Sequence, residues 1–276
     1  MVQAAQAAGR ADAFRFSAIL GEILGLYCFF LPHTPPSKGA RENAAFEAIS
    51  EVGRNPLATL FLVSVPISCI HQFYFVHTSG FLSAFQNRAA STINSVLGVG
   101  GGGLMTIGQM SEILVLAAIP LLAKSFSRKS LLLVGTAAYA VRMALFAHVD
   151  ALPFPPIATL VAGVALHGLC FGCFIFVAFM IVDEETSADV RASAQSLYNL
   201  VIIGVGIIVG SLTAGAVAKW AKGAGERLDY ADHAQTRALF SIPMWAAIAC
   251  FALLVIFYPS RSRLRTARVA PELASP

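Results

Sequence analysis

The chain has 276 residues, 57% of them hydrophobic and only 12% charged, with a mean hydropathy of +0.72. Soluble domains carry roughly 25% charge, so this chain has too few polar side chains to cover its apolar sequence, and a soluble domain, a disordered chain, a collagen and a coiled coil are all excluded. The net charge of +4 comes from 19 Lys and Arg against 15 Asp and Glu, set in short clusters between apolar runs. Such clusters orient membrane spans and do not build a nucleic-acid face.

Seven stretches approach or exceed the ~20 apolar residues that a bilayer core of about 30 Å requires. They run approximately 14–31, 57–81, 97–122, 131–148, 157–182, 193–218 and 240–258. The expected class is an all-α membrane protein with about seven transmembrane helices. Residues 1–31 form an N-terminal segment with one span, and 32–56 a cytoplasmic connector. A six-helix bundle follows over 57–260, then a cytoplasmic tail over 261–276. Lys124, Arg128 and Lys129 in one short loop, with Arg261, Arg263, Arg265 and Arg268 at the end, place the C-terminus inside a multi-pass protein of the cell (inner) membrane.

The first span is short and carries Glu22. The connector holds Pro35-Pro36 and then Ala44, Ala45, Ile49 and Val52 between charges, which predicts an interfacial helix. One helix, a charged connector and six helices are what a twelve-helix, two-half carrier leaves without its first five spans, so the sequence reads as the later part of a longer carrier. The span after the connector contains Ser68, His71, Gln72, Tyr74, His77, Thr78 and Ser79, unusually polar for lipid contact, and Pro66 predicts a kink within it. A histidine such as His77, if it titrated near neutral pH, would suit proton coupling; a hydrogen-bonded structural histidine is the alternative.

Gly98-Val-Gly100-Gly-Gly-Gly103 lacks the Lys-Ser/Thr of a phosphate loop and softens the start of the next span. In that span Gln109 and Glu112 lie three apart, on one helical face. An ionised carboxylate at mid-bilayer costs about 2.5–3.5 kcal/mol even on the lenient insertion scale. Glu112 therefore faces either a partner that holds helices together or a wet solute pathway. Arg142, inside the following span, either pairs with Glu112 and couples its protonation to movement or snorkels to the outer interface.

The five cysteines, the pair Cys170 and Cys173 included, fall in apolar runs and pack as small hydrophobes; no metal site and no cofactor is expected. Asp183, Glu184, Glu185, Asp189 and Arg191 make a cytoplasmic loop that is either a latch of exchangeable ion pairs or a solvated turn. Gly206 and Gly210 let the sixth span approach a neighbour closely. The 219–237 loop reads as external and without chemistry.

Several pieces together carry a resemblance: Met105-Thr-Ile-Gly-Gln-Met-Ser-Glu-Ile113, the basic loop at 124–129, Ala140-Val-Arg142-Met, His167-Gly168, Val182-Asp183 and Arg191-Ala-Ser-Ala-Gln195. The series resembles the C-terminal half of the nucleoside:proton symporter family within the major facilitator superfamily, over roughly residues 57–258. The resemblance implies twelve helices, alternating access and proton-coupled nucleoside uptake, with Gln109 and Glu112 at positions that contact the nucleoside. It adds Gln72, His77, Ser79 and Phe171 as substrate-binding candidates; Glu112, Arg142 and His77 as proton-coupling candidates; and Asp183 with Arg191 as a cytoplasmic gate. The expected partners are a nucleoside, protons, the lipid bilayer and an N-terminal half-transporter, with no nucleic acid. Two departures stand out. Val76 and Ser79 hold the places of a family amide pair, and Gly172 holds the place of an expected acid. They favour a carrier of another small solute, such as a sugar or a drug-like compound, as the rival reading. A seven-helix receptor or sensor is the rival from another class; an enzyme is not expected, since no nucleophile–base pair stands at usable spacing.

Overall fold

The computed structural model describes residues 2–33, 44–89 and 101–260. Lipid offers backbone groups no hydrogen-bond partner, so each apolar stretch closes its own bonds as a helix. The chain divides into two units, residues 1–42 and 43–276. Helix α1 of the first unit, Val2–Cys28, is long enough to span but carries Asp12, Arg15 and Glu22, with Arg15 bonded to Asp12 at 3.0 Å. It covers the stretch expected as the first span, but it is not among the described helices apolar enough to cross a membrane.

The second unit begins with α2, Ala44–Val52, followed by α3, Leu57–Ala89; α4, Gly101–Ser125; and α5, Arg128–Ala147. Three more long helical segments complete it: α6, Pro156–Glu185; α7, Arg191–Ala221; and α8, His233–Phe257. Helices α3 to α8 contain the six stretches that are long and apolar enough to cross a membrane among the described residues. In α2, Ala48 and Val52 are buried while Phe46 and Ile49 are exposed, the two-sided pattern of the predicted interfacial helix.

Pro66, where a kink is expected, lies inside α3, which stays helical on both sides of it. The irregular turns lie elsewhere, as π-helical turns at Phe171–Phe176 in α6 and Leu200–Val205 in α7. Such a turn releases carbonyls from the helix ladder, and Ser68 Oγ donates to Ile202 O inside the second one at 2.6 Å. The polarity of α3 has the same origin. Ser64, Ser68 and Gln72 recur every four residues, and they meet Tyr198 Oη at 2.9 Å, the Ile202 carbonyl, and Ser211 Oγ at 3.1 Å. The glycine pair of α7 permits this approach: a Cβ at Gly206 would stand 2.0 Å from Ser68 Oγ, and one at Gly210 would stand 2.9 Å from Cys69 Cα.

Polar contacts close both ends of the bundle. At one end Arg128 grips Glu184 through two bonds of 3.0 and 2.5 Å, and Lys129 Nζ donates to the terminal carbonyls of Val255 and Tyr258. Glu51 of α2 accepts from the amide and hydroxyl of Ser187 at 3.0 and 2.7 Å. At the other end His233 pairs with Asp150, and Asp232 caps α8 by accepting from the amides of Ala234 and Gln235. The backbone bonds from Gln235 and Ala234 hold the Asp232 carboxyl below its ordinary value. A carboxylate depressed in the folded state stabilises above the unfolded-state value and is lost as pH falls through the folded one. Protection of the Ala234 and Gln235 amides against hydrogen exchange, taken relative to the intrinsic rate at each pH, should therefore be high at neutral pH and fall once the pH drops below the usual carboxylate range; Asp232→Ala should remove it throughout.

Candidate functional site

Helix geometry brings four polar residues to one depth. Glu112 lies eleven residues into α4 and His167 eleven into α6, about 16 Å of rise. His71 and Arg142 each lie fourteen residues into α3 and α5, which enter from the opposite side in the alternating order of the spans. The contact between α4 and α6 is tight because two glycines face it. A Cβ at Gly168 would stand 2.4 Å from Ser111 O, and one at Gly108 would stand 3.1 Å from His167 Cβ. Ser111 Oγ accepts from the Gly168 amide at 3.0 Å. Gly168→Ala should cost about 1–3 kcal/mol, since backbone and not a flexible side chain blocks the added methyl; thermal unfolding in detergent measures it.

His167 joins the group. Its Nδ1 lies 3.1 Å from Arg142 Nη1, and its Nε2 lies 3.2 Å from Glu112 Oε2. Arg142 is fully buried, His167 is 1% exposed, and the Glu112 side chain keeps 20% of its surface open. Snorkelling of Arg142 is thereby overturned, and so is direct pairing with Glu112, because the imidazole stands between them. Arg142 spreads its charge over aromatic faces instead, 4.1 Å from the Tyr74 ring centroid and 5.0 Å from that of Tyr139. Its Nε and Nη2 have no hydrogen-bond partner. His71 stacks on His167 at 5.3 Å and bonds Tyr139 Oη at 2.7 Å.

Around the opening of Glu112, Gln109 is exposed one turn away, and Phe171 is half-buried with its ring 6.2 Å from that of His71. Phe75, 42% exposed, packs edge-on to both His71 and His167. Gln72 lies one turn along α3, its amide turned to Ser211. Ser79 is half-buried, and Val76 is exposed. A carboxylate, an amide and two aromatic faces thus share one open side, where hydroxyls can be gripped and a planar ring stacked.

His77 is elsewhere. Its Nε2 lies 3.1 Å from the Ala214 carbonyl, which fixes that nitrogen as donor, and its Nδ1 lies 2.9 Å from Tyr230 Oη. Burial pushes the Tyr230 hydroxyl up from its ordinary value, so it stays protonated and donates. Both ring nitrogens are occupied in a tie between α3, α7 and the 222–232 loop. The loop read as without chemistry supplies this tie. Gly172 is buried with a would-be Cβ 2.6 Å from Val115 Cγ1, so a side chain there would strike α4.

At the far end of α6, Asp183 Oδ1 lies 3.4 Å from Arg191 Nε and accepts from Gln195 Nε2 at 3.2 Å. Asp183 and Gln195 border a cavity of about 300 Å³ lined also by Phe176, Phe179, Met180 and Glu184. It lies where α6 turns into α7 and not at Glu112, whose surroundings are an open face. From sequence His167 reads only as a possible second proton group, in place of the acid absent at Gly172, and Phe75, Tyr74 and Tyr139 carry no role. The His-Gly pair was the signal for the first; nothing local marked the others.

A sequence profile of the family described as Nucleoside H+ symporter matches residues 4–262. The chain is similar to the transporter YegT of Escherichia coli (strain K12), 28% identical over 68% of this chain and 43% of the relative. It is 27% identical to the nucleoside permease NupG of the same strain, over 72% of this chain and 49% of NupG. A xanthosine permease of that strain is 28% identical over 70% and 47%. The chain spans about half the length of these relatives. In three dimensions it is similar to a crystal structure of NupG, with a TM-score of 0.61 and 25% identity over 86% of this chain and 59% of that one.

Proposed function

Since the chain belongs to the nucleoside H+ symporter family, a family of multi-pass membrane transporters and not of enzymes, we propose that it carries nucleosides together with protons by alternating access. The observation that carries this reading is the half-open carboxylate of Glu112, beside exposed Gln109 and the rings of Phe75 and Phe171. Gln109 and Glu112 bind the ribose or base edges, the rings stack on the base, and Gln72 and Ser79 extend the same wall. Glu112 takes the proton, and Arg142 sets the charge around it. The 57–260 bundle forms one wall of the pathway, and a second bundle forms the facing wall. The C-terminus lies on the cytoplasmic side of the inner membrane, where Asp183 and Arg191 form a latch; an exposed pair of this kind is worth only about 0–1 kcal/mol and opens readily.

Labelled uridine uptake tests this in cells lacking their own nucleoside carriers. The chain is expressed alone and beside the part of NupG that it does not match. Saturable uptake is expected with the second part present, abolished by a protonophore and competed by other nucleosides. Competition by sugars and not by nucleosides would overturn the substrate, and saturable uptake by the chain alone would overturn the need for a second wall. Transport of another solute is the second reading, favoured by Gly172, where no acid is present and a side chain would collide with Val115.

A further inference from the structure

We infer that Arg142 locks His167 as a permanent donor to one oxygen of Glu112, so that the proton Glu112 binds sits on the other oxygen, the one available to solute. This rests on the reading of Glu112 as the proton and solute site, and it makes His167 and Arg142 positioning residues.

The argument is one of donors and acceptors. A guanidinium has five N–H groups and no acceptor. His167 Nδ1, 3.1 Å from Arg142 Nη1, must therefore accept, and a neutral ring must carry its hydrogen on Nε2. Nε2 faces Glu112 Oε2 at 3.2 Å. Oε2 is thus the carboxyl oxygen within reach of that N–H, whether the carboxyl is charged or neutral. Nε and Nη2 of Arg142 are buried without a partner, and among the described residues the only contact of the Glu112 carboxyl is the one from Oε2 to His167. A proton arriving from water on the open face adds to Oε1 and turns the carboxylate into a neutral acid; no other bond changes. Oε1 then switches from acceptor to donor. A solute acceptor, such as a ribose oxygen or a base carbonyl, meets a complementary group only in the protonated state. Proton and solute binding reinforce each other through one oxygen, and linkage makes the effect reciprocal.

The other groups around the chain do not break the lock. On α3 they are His71, bonded to Tyr139, and Tyr74, under the guanidinium; on α5 Tyr139 itself; on α6 Cys170, buried. None of them is a carboxylate that takes the Arg142 bond, and the cation remains directed at His167.

Nitrogen-15 NMR of the full chain in lipid bilayers reads the tautomer of His167, with His167→Asn assigning its signal. The infrared carboxyl band, assigned by Glu112→Gln, reads the proton on Glu112. The Nε2–H tautomer is expected before and after Glu112 protonates. An Nδ1–H ring, or an imidazolium appearing as Glu112 titrates, would overturn the lock. Arg142→Lys, still a donor only, should keep it. Arg142→Gln offers an acceptor as well, so the ring should flip to Nδ1–H when Glu112 becomes protonated and can donate back. Should that variant fail to fold, the native spectrum still decides. Uridine, its binding measured separately by dialysis, should move the carboxyl titration to higher pH; bound uridine that leaves the titration unmoved refutes the shared oxygen. The dialysis is done beside the part of NupG that the chain does not match, so that both walls are present; absence of uridine binding there would count against the nucleoside reading, and the tautomer would still decide the lock.

Discussion

Glu112→Gln should leave uridine bound to the protein while ending its proton-driven accumulation. The glutamine oxygen can stand beside His167 Nε2 where Oε2 stands, and its NH2 then points where the protonated acid would place its O–H, so the variant imitates the neutral carboxyl permanently. A gradient of one pH unit is worth about 1.4 kcal/mol, or tenfold accumulation for one proton per solute. With nothing to release inside, the variant should equilibrate uridine to a ratio of about one and still exchange labelled for unlabelled uridine. Glu112→Ala should behave differently. It removes the hydrogen bond itself, worth about 1.5–3 kcal/mol when one partner is charged, and should weaken binding on the order of 10–150-fold. Counterflow and accumulation in the same vesicles separate the two variants. Accumulation by Glu112→Gln, or a loss of binding as large as that of the alanine variant, would refute the role of this carboxyl.

The contrast between Glu112 and Arg142 shows what sequence does and does not carry. The spans were legible because lipid imposes a length and an apolar composition on each helix. Glu112 was legible for the same reason inverted: a carboxylate in an apolar run requires a partner or water, whatever the fold. Its partner was not legible. Arg142 lies thirty residues away and satisfies the naive expectation of an ion pair, yet the structure interposes His167, which comes from a third helix and depends on the approach allowed by Gly108 and Gly168. The polar stripe of α3 was visible as a stripe, whereas its consumption by α7 required the positions of Gly206, Gly210 and a released carbonyl at Ile202. The π-helical turns at 171–176 and 200–205 have no comparable residue signature; they follow from packing against neighbours. Tyr230 and His233 sat in a polar loop that gave no hint of contacts 153 and 83 residues back along the chain, to His77 and Asp150.

Arg142→Met should abolish coupled uptake with little change in the stability of the bundle. The opposing contributions are of similar size. Burying the charge costs about 2.5–3.5 kcal/mol on the insertion scale, and this side chain is fully buried with two nitrogens unpartnered. In its favour stand one charged hydrogen bond to His167, about 1.5–3 kcal/mol, and desolvated contacts with the Tyr74 and Tyr139 faces, about 2 kcal/mol. Methionine has a similar reach and fills the space with an adaptable apolar chain. The net change is therefore expected within about 2 kcal/mol of zero, a shift of a few degrees in detergent. Function has no such cancellation, because the variant leaves His167 free to turn either nitrogen toward Glu112 and removes the counter-charge behind it. Accumulation of uridine should fall to equilibration while the melting temperature scarcely moves, the pattern of a residue retained for activity at a cost in stability. A large drop in melting temperature with coupling per folded molecule intact would make Arg142 an ordinary core brace.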